Sequence, residues 1–294
     1  MKNNLRSIKK VIPPPPFHMV GDGFRVHNFF PSDPDIGMYG MSPFFLLDYG
    51  SKHIFPPSEK PRGVSAHPHK GFETVTIAYH GAVEHHDSQG NHGIISQGDI
   101  QWMTAGSGVL HKEYHEKEYA KRGGLFQMVQ LWINLPAKHK MHPPRYQAIK
   151  EKDIVKYIMD DGTSSIGIIA GEYMGLKGPA ETFTAINLYN AFLSAGSAAE
   201  FLFSKKHNTG MLVIDGEIMI NDQITASSDH FILFENDGEE IPIRAVSAST
   251  VLVMSGEPID EELVSYGPFL MNTDAEIKQA FEDFRNGKFG YLDD

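Results

Sequence analysis

No cysteine occurs in the 294 residues. That excludes disulfides, zinc–thiolate sites and thiol nucleophiles, and it fits a cytoplasmic protein. No apolar run approaches the ~20 residues that span a bilayer, so no membrane role is expected. The N-terminus, MKNNLRSIKKVIPPPP, is basic but has no apolar stretch, and it does not read as a secretory signal. A concentrated basic face is also missing. The longest basic runs are pairs such as Lys9-Lys10 and Lys205-Lys206, against a net charge of −11, so direct nucleic-acid binding is not expected. The glycine patterns of phosphate loops and dinucleotide folds are absent, as is a nucleophile elbow.

What is present points to a soluble protein of about two domains. Hydrophobic residues make up 41% and charged residues 21%, ordinary values for a chain that buries real cores. Glycine (28) and proline (18) punctuate many short β-rich runs, among them Phe72–Tyr79, Met128–Asn134, Met211–Ile214, His230–Phe234 and Thr250–Met254. Such runs bounded by turn residues indicate a β-sandwich or barrel. Ser88-Gln89-Gly90-Asn91 and Asn221-Asp222 read as hairpin turns. One helix is expected near the C-terminus. Thr273 and Glu276 form a capping box, Ile277, Ala280, Phe281 and Phe284 share a face, and Gly287 stands at the C-terminal cap.

A faint internal repeat is visible. YHGAVEHH (Tyr79–His86) parallels IDGEIMIN (Ile214–Asn221), and SQGDIQWMTAG (Ser96–Gly106) parallels SSDHFILFENDG (Ser227–Gly238). This predicts two related β domains, 1–140 and 141–294, joined through a polar stretch, Ala137 to Glu151, that reads as a linker.

Fifteen histidines are the compositional oddity, and their spacing carries the chemistry. In a strand, residues i and i+2 face the same way, so His67 and His69 aim at one point, as do His111 and Glu113. If the two strands are neighbours, three nitrogens and one carboxylate converge, a set suited to a borderline divalent ion with an open position. The competing reading is a group of surface or core histidines with local hydrogen bonds.

HPHKGFETVT (His67–Thr76), QGDIQWMTAGSGVLHKE (Gln97–Glu113) and GEPIDEELVSYGPFLMNTDAEIKQAFEDFRNGKFG (Gly256–Gly290) resemble the two cupin motifs and the C-terminal signature of the pirin family. The resemblance implies an all-β bicupin: two jelly-roll barrels with a short C-terminal helix. It implies one metal in the N-terminal barrel, held by His67, His69, His111 and Glu113. Iron as Fe(II) is the metal expected, although Mn, Co, Ni, Cu or Zn suit the same ligands. Glu73, where generic cupins place a carboxylate ligand, is then expected to be structural. Lys112, where many relatives carry a small residue, should point away from the metal. Aligning the repeats places Leu202 and Ser204 opposite His67 and His69, and Ile241 and Ile243 opposite His111 and Glu113. The C-terminal barrel should therefore be apolar and bind no metal.

Other polar residues are expected to be bland. His85, His86 and His92 read as exposed turn residues, with one conceivable contact to the metal pocket. His115 shares the parity of His111, His139 and His142 read as solvated, Trp102, Met103 and Trp132 as core, and Asp48 and Lys52 as unmarked. The resemblance implies a quercetin 2,3-dioxygenase type of activity, with Glu113 as base, on a flavonol-like aromatic substrate and O2. The other role it implies is a metal- or redox-sensing regulator that binds protein partners. A monomer is expected.

Overall fold

The computed structural model describes residues 4–293, and strands dominate it. The chain divides into two units, each assembled from separate stretches. The first holds residues 16–38, 44–151 and 259–293; the second holds residues 4–15, 39–43 and 152–258. Each unit is one cupin barrel, made of a seven-stranded and a four-stranded antiparallel sheet.

In the first barrel the large sheet runs in the order Arg145–Ile149, Ile100–Thr104, Phe72–His80, Gly124–Asn134, Phe44–Phe55, Phe24–Phe30, His18–Val20. The small sheet runs Gly63–His69, Val109–His115, Val83–Asp87, His92–Ile95. The second barrel repeats the plan. Its large sheet runs Ile8–Ile12, Phe231–Phe234, Asn208–Asp215, Ser249–Gly256, Ile186–Leu193, Ser165–Ala170, Val155–Ile158. Its small sheet runs Ala198–Leu202, Glu240–Ala245, Glu217–Ile220, Ile224–Ser227.

The hairpin turns follow from local chemistry. Asp87 Oδ1 accepts from the backbone N–H of Gln89 and Asn91, both at 2.9 Å, while Gly90 takes a φ of 84°. Asn221 and Asp222 both adopt left-handed φ (55° and 51°), the conformation a tight hairpin requires.

Three expectations need correction. The stretch from Ala137 to Glu151 is not merely a linker. It contributes the strand Arg145–Ile149, paired with Ile100–Thr104, and the buried Lys140. Lys140 Nζ donates to the Gly71 carbonyl (2.9 Å), Asn134 Oδ1 (2.6 Å) and the Leu270 carbonyl (2.9 Å), so one amino group, its pKa lowered to about 7 by burial, meets three buried acceptors from distant parts of the chain. The single boundary between residues 140 and 141 also differs from the partition observed. The chain passes into the second unit after Glu151 and returns at Ile259, and the first strand, Ile8–Ile12, pairs with Phe231–Phe234 in the second barrel.

The third concerns the helix, which spans Asp274–Arg285 and is capped by Thr273, whose Oγ1 accepts from the Glu276 N–H at 3.2 Å. It belongs to the first unit and not to the second. Ile277 and Ala280 are buried beside Phe269, Met271 and Phe289 with Leu110 packed against them, whereas Phe284 is exposed. A buried ion pair, Lys70 Nζ to Asp283 Oδ2 at 2.8 Å, ties the helix to the residue following His69. Asp283 Oδ1 also accepts from Lys288 Nζ at 2.8 Å, so it is removal of Asp283 that would leave the Lys70 charge buried and unpaired, at a cost of roughly 3–5 kcal/mol. Apolar burial and this pair together dock the helix on the first barrel.

The repeat is real but slipped by one residue on one strand. Ile241 and Ile243 do stand where His111 and Glu113 stand. On the neighbouring strand, however, Phe201 pairs with Ile241 as His67 pairs with His111, so Phe201 and Phe203 are the inward residues and Leu202 is exposed. A shift of one residue exchanges the two faces of a strand.

Candidate metal centre

The histidine-bearing strands are neighbours in the small sheet. Gly63–His69 is its edge strand, which is where Pro68 can sit without depriving a ladder of an N–H donor. His111 lies opposite His67 and Val109 opposite His69, so the imidazoles of both strands enter one side of the sheet. One ligand nitrogen each from His67, His69 and His111 falls within 4.8 Å of the others. The ring centroids are 4.3 to 4.8 Å apart.

His111 and His69 are buried and His67 is half-buried. His67 Nδ1 donates to the Ser65 carbonyl at 2.8 Å, which leaves Nε2 as the free lone pair. His69 Nδ1 and both nitrogens of His111 have no hydrogen-bond partner among the described residues. Burial lowers the pKa of all three rings, and for His69 and His111 the nearby His67 lowers it further, so all three are neutral. Each unpartnered buried polar atom costs about 1–3 kcal/mol. Three neutral imidazoles in one place fit a divalent metal ion, which would take one lone pair from each ring.

Glu113 shares the strand face of His111 but lies outside the histidine group. A bulge separates the two: His111 opposes His67, whereas Glu113 opposes Val64. Its carboxylate reaches the facing large sheet, where Thr76 Oγ1 donates to Oε1 at 3.3 Å and Gln130 Nε2 donates to Oε2 at 3.0 Å. Burial raises the Glu113 pKa, and these two donors pull it back down.

The register explains why those donors meet. Thr76 stands opposite Gln130 on one side and Gln101 on the other, and Gln130 stands opposite Asp48, which in turn faces Asn28. Opposed residues share a face, so Gln101, Thr76, Gln130, Asp48 and Asn28 form one polar row along the inner side of the large sheet. Asn28 Nδ2 donates to Asp48 Oδ1 at 2.7 Å, and burial raises the Asp48 pKa. Both amide atoms of Gln101 are buried without a partner among the described residues. The neighbouring row supplies Trp132, whose ring is 5.1 Å from His69, with Thr74, Met103 and Tyr146. The row members are scattered through the chain, so no short motif announces them. Only the strand pairing assembles them.

The remaining sequence candidates separate clearly. Glu73 points to the opposite face of the large sheet, where Thr104 Oγ1 donates to it at 2.6 Å, and burial pushes its pKa up to about 7. Lys112 points away from the histidines, as strand parity requires. His86 and His92 stack on each other at 5.7 Å on the outer side. His85 departs from the exposed-turn reading: it is 0% exposed, with its ring 5.4 Å from that of His111. The reason is parity, since the strand Val83–Asp87 turns Val83, His85 and Asp87 inward and Glu84 and His86 outward. His115 is also buried, boxed by Phe24, Phe55, Tyr119 and Phe126, with Nε2 hydrogen-bonded to the Gly23 carbonyl at 2.8 Å.

Comparison with known proteins agrees with the two-cupin fold. The family model described as Pirin matches residues 23–133, and that of the pirin C-terminal cupin domain matches residues 188–290. A Pseudomonas aeruginosa protein provisionally named quercetin 2,3-dioxygenase is 44% identical over 272 residues, covering 92% of this chain and 94% of the relative. A pirin-like protein of Solanum lycopersicum is 37% identical, with 86% of this chain and 84% of the relative covered. The crystal structure of a quercetin 2,3-dioxygenase from Acinetobacter baumannii superposes with a TM-score of 0.92 at 44% identity, covering 98% of this chain and all of that one.

Proposed function

The chain belongs to the pirin family, and from that premise we propose that it is a metal-dependent dioxygenase that opens a flavonol or similar enol or phenol with O2. The observation that carries this reading is the cluster of three neutral imidazoles beside a buried carboxylate, with His69 Nδ1 and both His111 nitrogens unpartnered among the described residues. On this reading His67, His69 and His111 hold one divalent ion, Fe(II) first among those the ligand set suits, with Glu113 as the fourth ligand. When bound, that ion acts as a Lewis acid that lowers the pKa of a coordinated hydroxyl and offers a site for O2 chemistry.

The protein's own residues do the rest. His67 is fixed in one tautomer by the Ser65 carbonyl, so its ligating nitrogen needs no rearrangement. Glu113 is the carboxylate on the histidine face and takes the proton from the substrate hydroxyl. Gln130 and Thr76 grip one oxygen each, which suits a group that alternates between the ion and a proton. Their donated hydrogen bonds favour its charged, proton-accepting form against the burial that opposes it. Trp132, Met103 and Tyr146 line the same interior with ring and thioether surface, which excludes water from a reactive anion.

The test is oxygen uptake by Fe(II)-loaded protein on addition of quercetin. Glu113→Gln, assayed at unchanged metal content, is expected to lose about 100- to 1,000-fold in kcat, within the range for a positioned general base. Full activity in that variant would remove the base role. No uptake by wild-type protein holding one metal per chain would remove the flavonol reading.

A further inference from the structure

His85 takes no part in the reading above, yet it is among the most completely buried polar side chains, at 0% exposure. Neither ring nitrogen has a hydrogen-bond partner among the described residues. It lies opposite Glu113 in the strand ladder, so its side chain enters the barrel on the face that carries Glu113 and His111. Its ring stacks on Tyr146 at 5.3 Å with an interplanar angle of 17°, and its centroid is 5.4 Å from that of His111. It is not part of the group whose ligand atoms lie within 4.8 Å of one another.

These facts exclude two simpler roles. A packing residue stacked on Tyr146 could be a phenylalanine, which leaves no nitrogen unpaired. A fourth nitrogen ligand would fall within the compact group of His67, His69 and His111. An imidazole carries a proton on at least one ring nitrogen in either tautomer. The stack on Tyr146 therefore holds a buried N–H donor close to the cluster, on the face that carries Glu113 and His111. Two oxygens on adjacent carbons stand about one hydrogen-bond length apart, roughly 2.8 Å. A molecule anchored at the cluster through one of them brings the other towards His85.

We propose that His85 is a substrate-recognition residue whose N–H binds the second oxygen of a molecule anchored through its first oxygen at the His67–His69–His111 cluster. The site thereby selects compounds with a hydroxyl and a carbonyl on neighbouring carbons over those with a lone hydroxyl. The inference rests on the proposed metal site, and its test is independent of turnover.

The experiment uses the full chain loaded with Co(II), whose visible absorption reports ligand binding, titrated without oxygen. The probes are 3-hydroxy-4-pyranone, which has both oxygens, and phenol, which has one. His85→Phe keeps the stack and removes the N–H; His85→Gln restores a donor. Expected is a rise in Kd for the hydroxypyranone of about tenfold or more in His85→Phe, the loss of one buried hydrogen bond. The Kd for phenol should stay within about twofold, cobalt should remain at one per chain, and His85→Gln should recover part of the loss. Unchanged hydroxypyranone binding, an equal loss for both probes, loss of cobalt, or wild-type protein that binds the two probes alike would each overturn the inference. If the titrations behave as expected but quercetin gives no oxygen uptake, the dioxygenase reading alone fails.

Discussion

Across the large sheet of the first barrel one inward row reads Gln101, Thr76, Gln130, Asp48, Asn28. In the second barrel the row at the same place, five residues before the glycine of the next turn, reads Ile232, Met211, Val253, Tyr189, Ile168. Those turn glycines, Gly81 and Gly216, have nearly the same φ, 85° and 81°. The small sheets differ in the same way, with His67, His111, Glu113 and His85 matched by Phe201, Ile241, Ile243 and Ile220. In the second barrel these matching rows are thus aliphatic or aromatic and buried, and the buried polar Arg6, Thr209 and Ser255 are hydrogen-bonded to one another and to backbone carbonyls. The polar interior of the first is no requirement of the fold. Buried polar atoms cost stability unless they are paired, so such unpartnered ones of the first barrel as His69 Nδ1 and the side-chain nitrogens and oxygen of His85, Gln101 and His111 are what the proposed site accounts for.

Exchanging residues between the barrels tests that lesson. The largest effect is expected from His111→Ile, which gives the first barrel the residue of the second. Metal affinity should fall by more than about 100-fold, beyond the range for losing an outer partner of a ligand, while the fold persists; metal analysis after dialysis, with circular dichroism, checks both. The reverse exchange, Phe201→His, places an unpaired imidazole in the apolar barrel and removes a buried ring. It should lower unfolding free energy by about 3–5 kcal/mol in urea titrations without creating a metal site.

A third exchange concerns Glu73, whose counterpart is the neutral Asn208. Because burial raises its pKa from 4.5 to about 7, folded protein holds that proton more tightly than unfolded protein does. Stability is therefore greatest below about pH 4.5 as far as this group is concerned, and it falls by at most about 3 kcal/mol as pH rises to about 7. Glu73→Gln should flatten that dependence in urea titrations across the interval. The smallest effect is expected from Gln130→Val, which copies Val253. Loss of one donor to Glu113 raises the Glu113 pKa further, so the acid limb of the kcat/KM profile should move to higher pH, with about a tenfold loss at neutral pH.

Much of the site was legible because strands have a period of two. His67-Pro68-His69 and His111-Lys112-Glu113 declare shared faces without any knowledge of the fold, and the capping Thr273 declares its helix. Three things were not legible. Arg145–Ile149 is a polar edge strand whose pattern resembles a linker, since pairing on one side asks little of its side chains. The slip at Phe201 arises because Gly216 follows Phe203 by 13 residues while Gly81 follows His69 by 12, and one added turn residue reverses strand parity. His85 was hidden for a related reason: its burial depends on where the strand Val83–Asp87 begins, and its composition, flanked by polar residues, resembles a turn.

The interleaving of the two units also governs the order in which a growing chain can fold. The strand Ile8–Ile12 leaves the ribosome early but finds its neighbour only when Phe231–Phe234 has been made. The turn after His69 is secured by Lys140 and by the carbonyl of Leu270, and the adjoining Lys70 waits for Asp283. The histidine strand is therefore locked in place only after Asp283 has been made. A chain stalled or clipped before residue 259 retains all three histidines and lacks the segments that hold their strand.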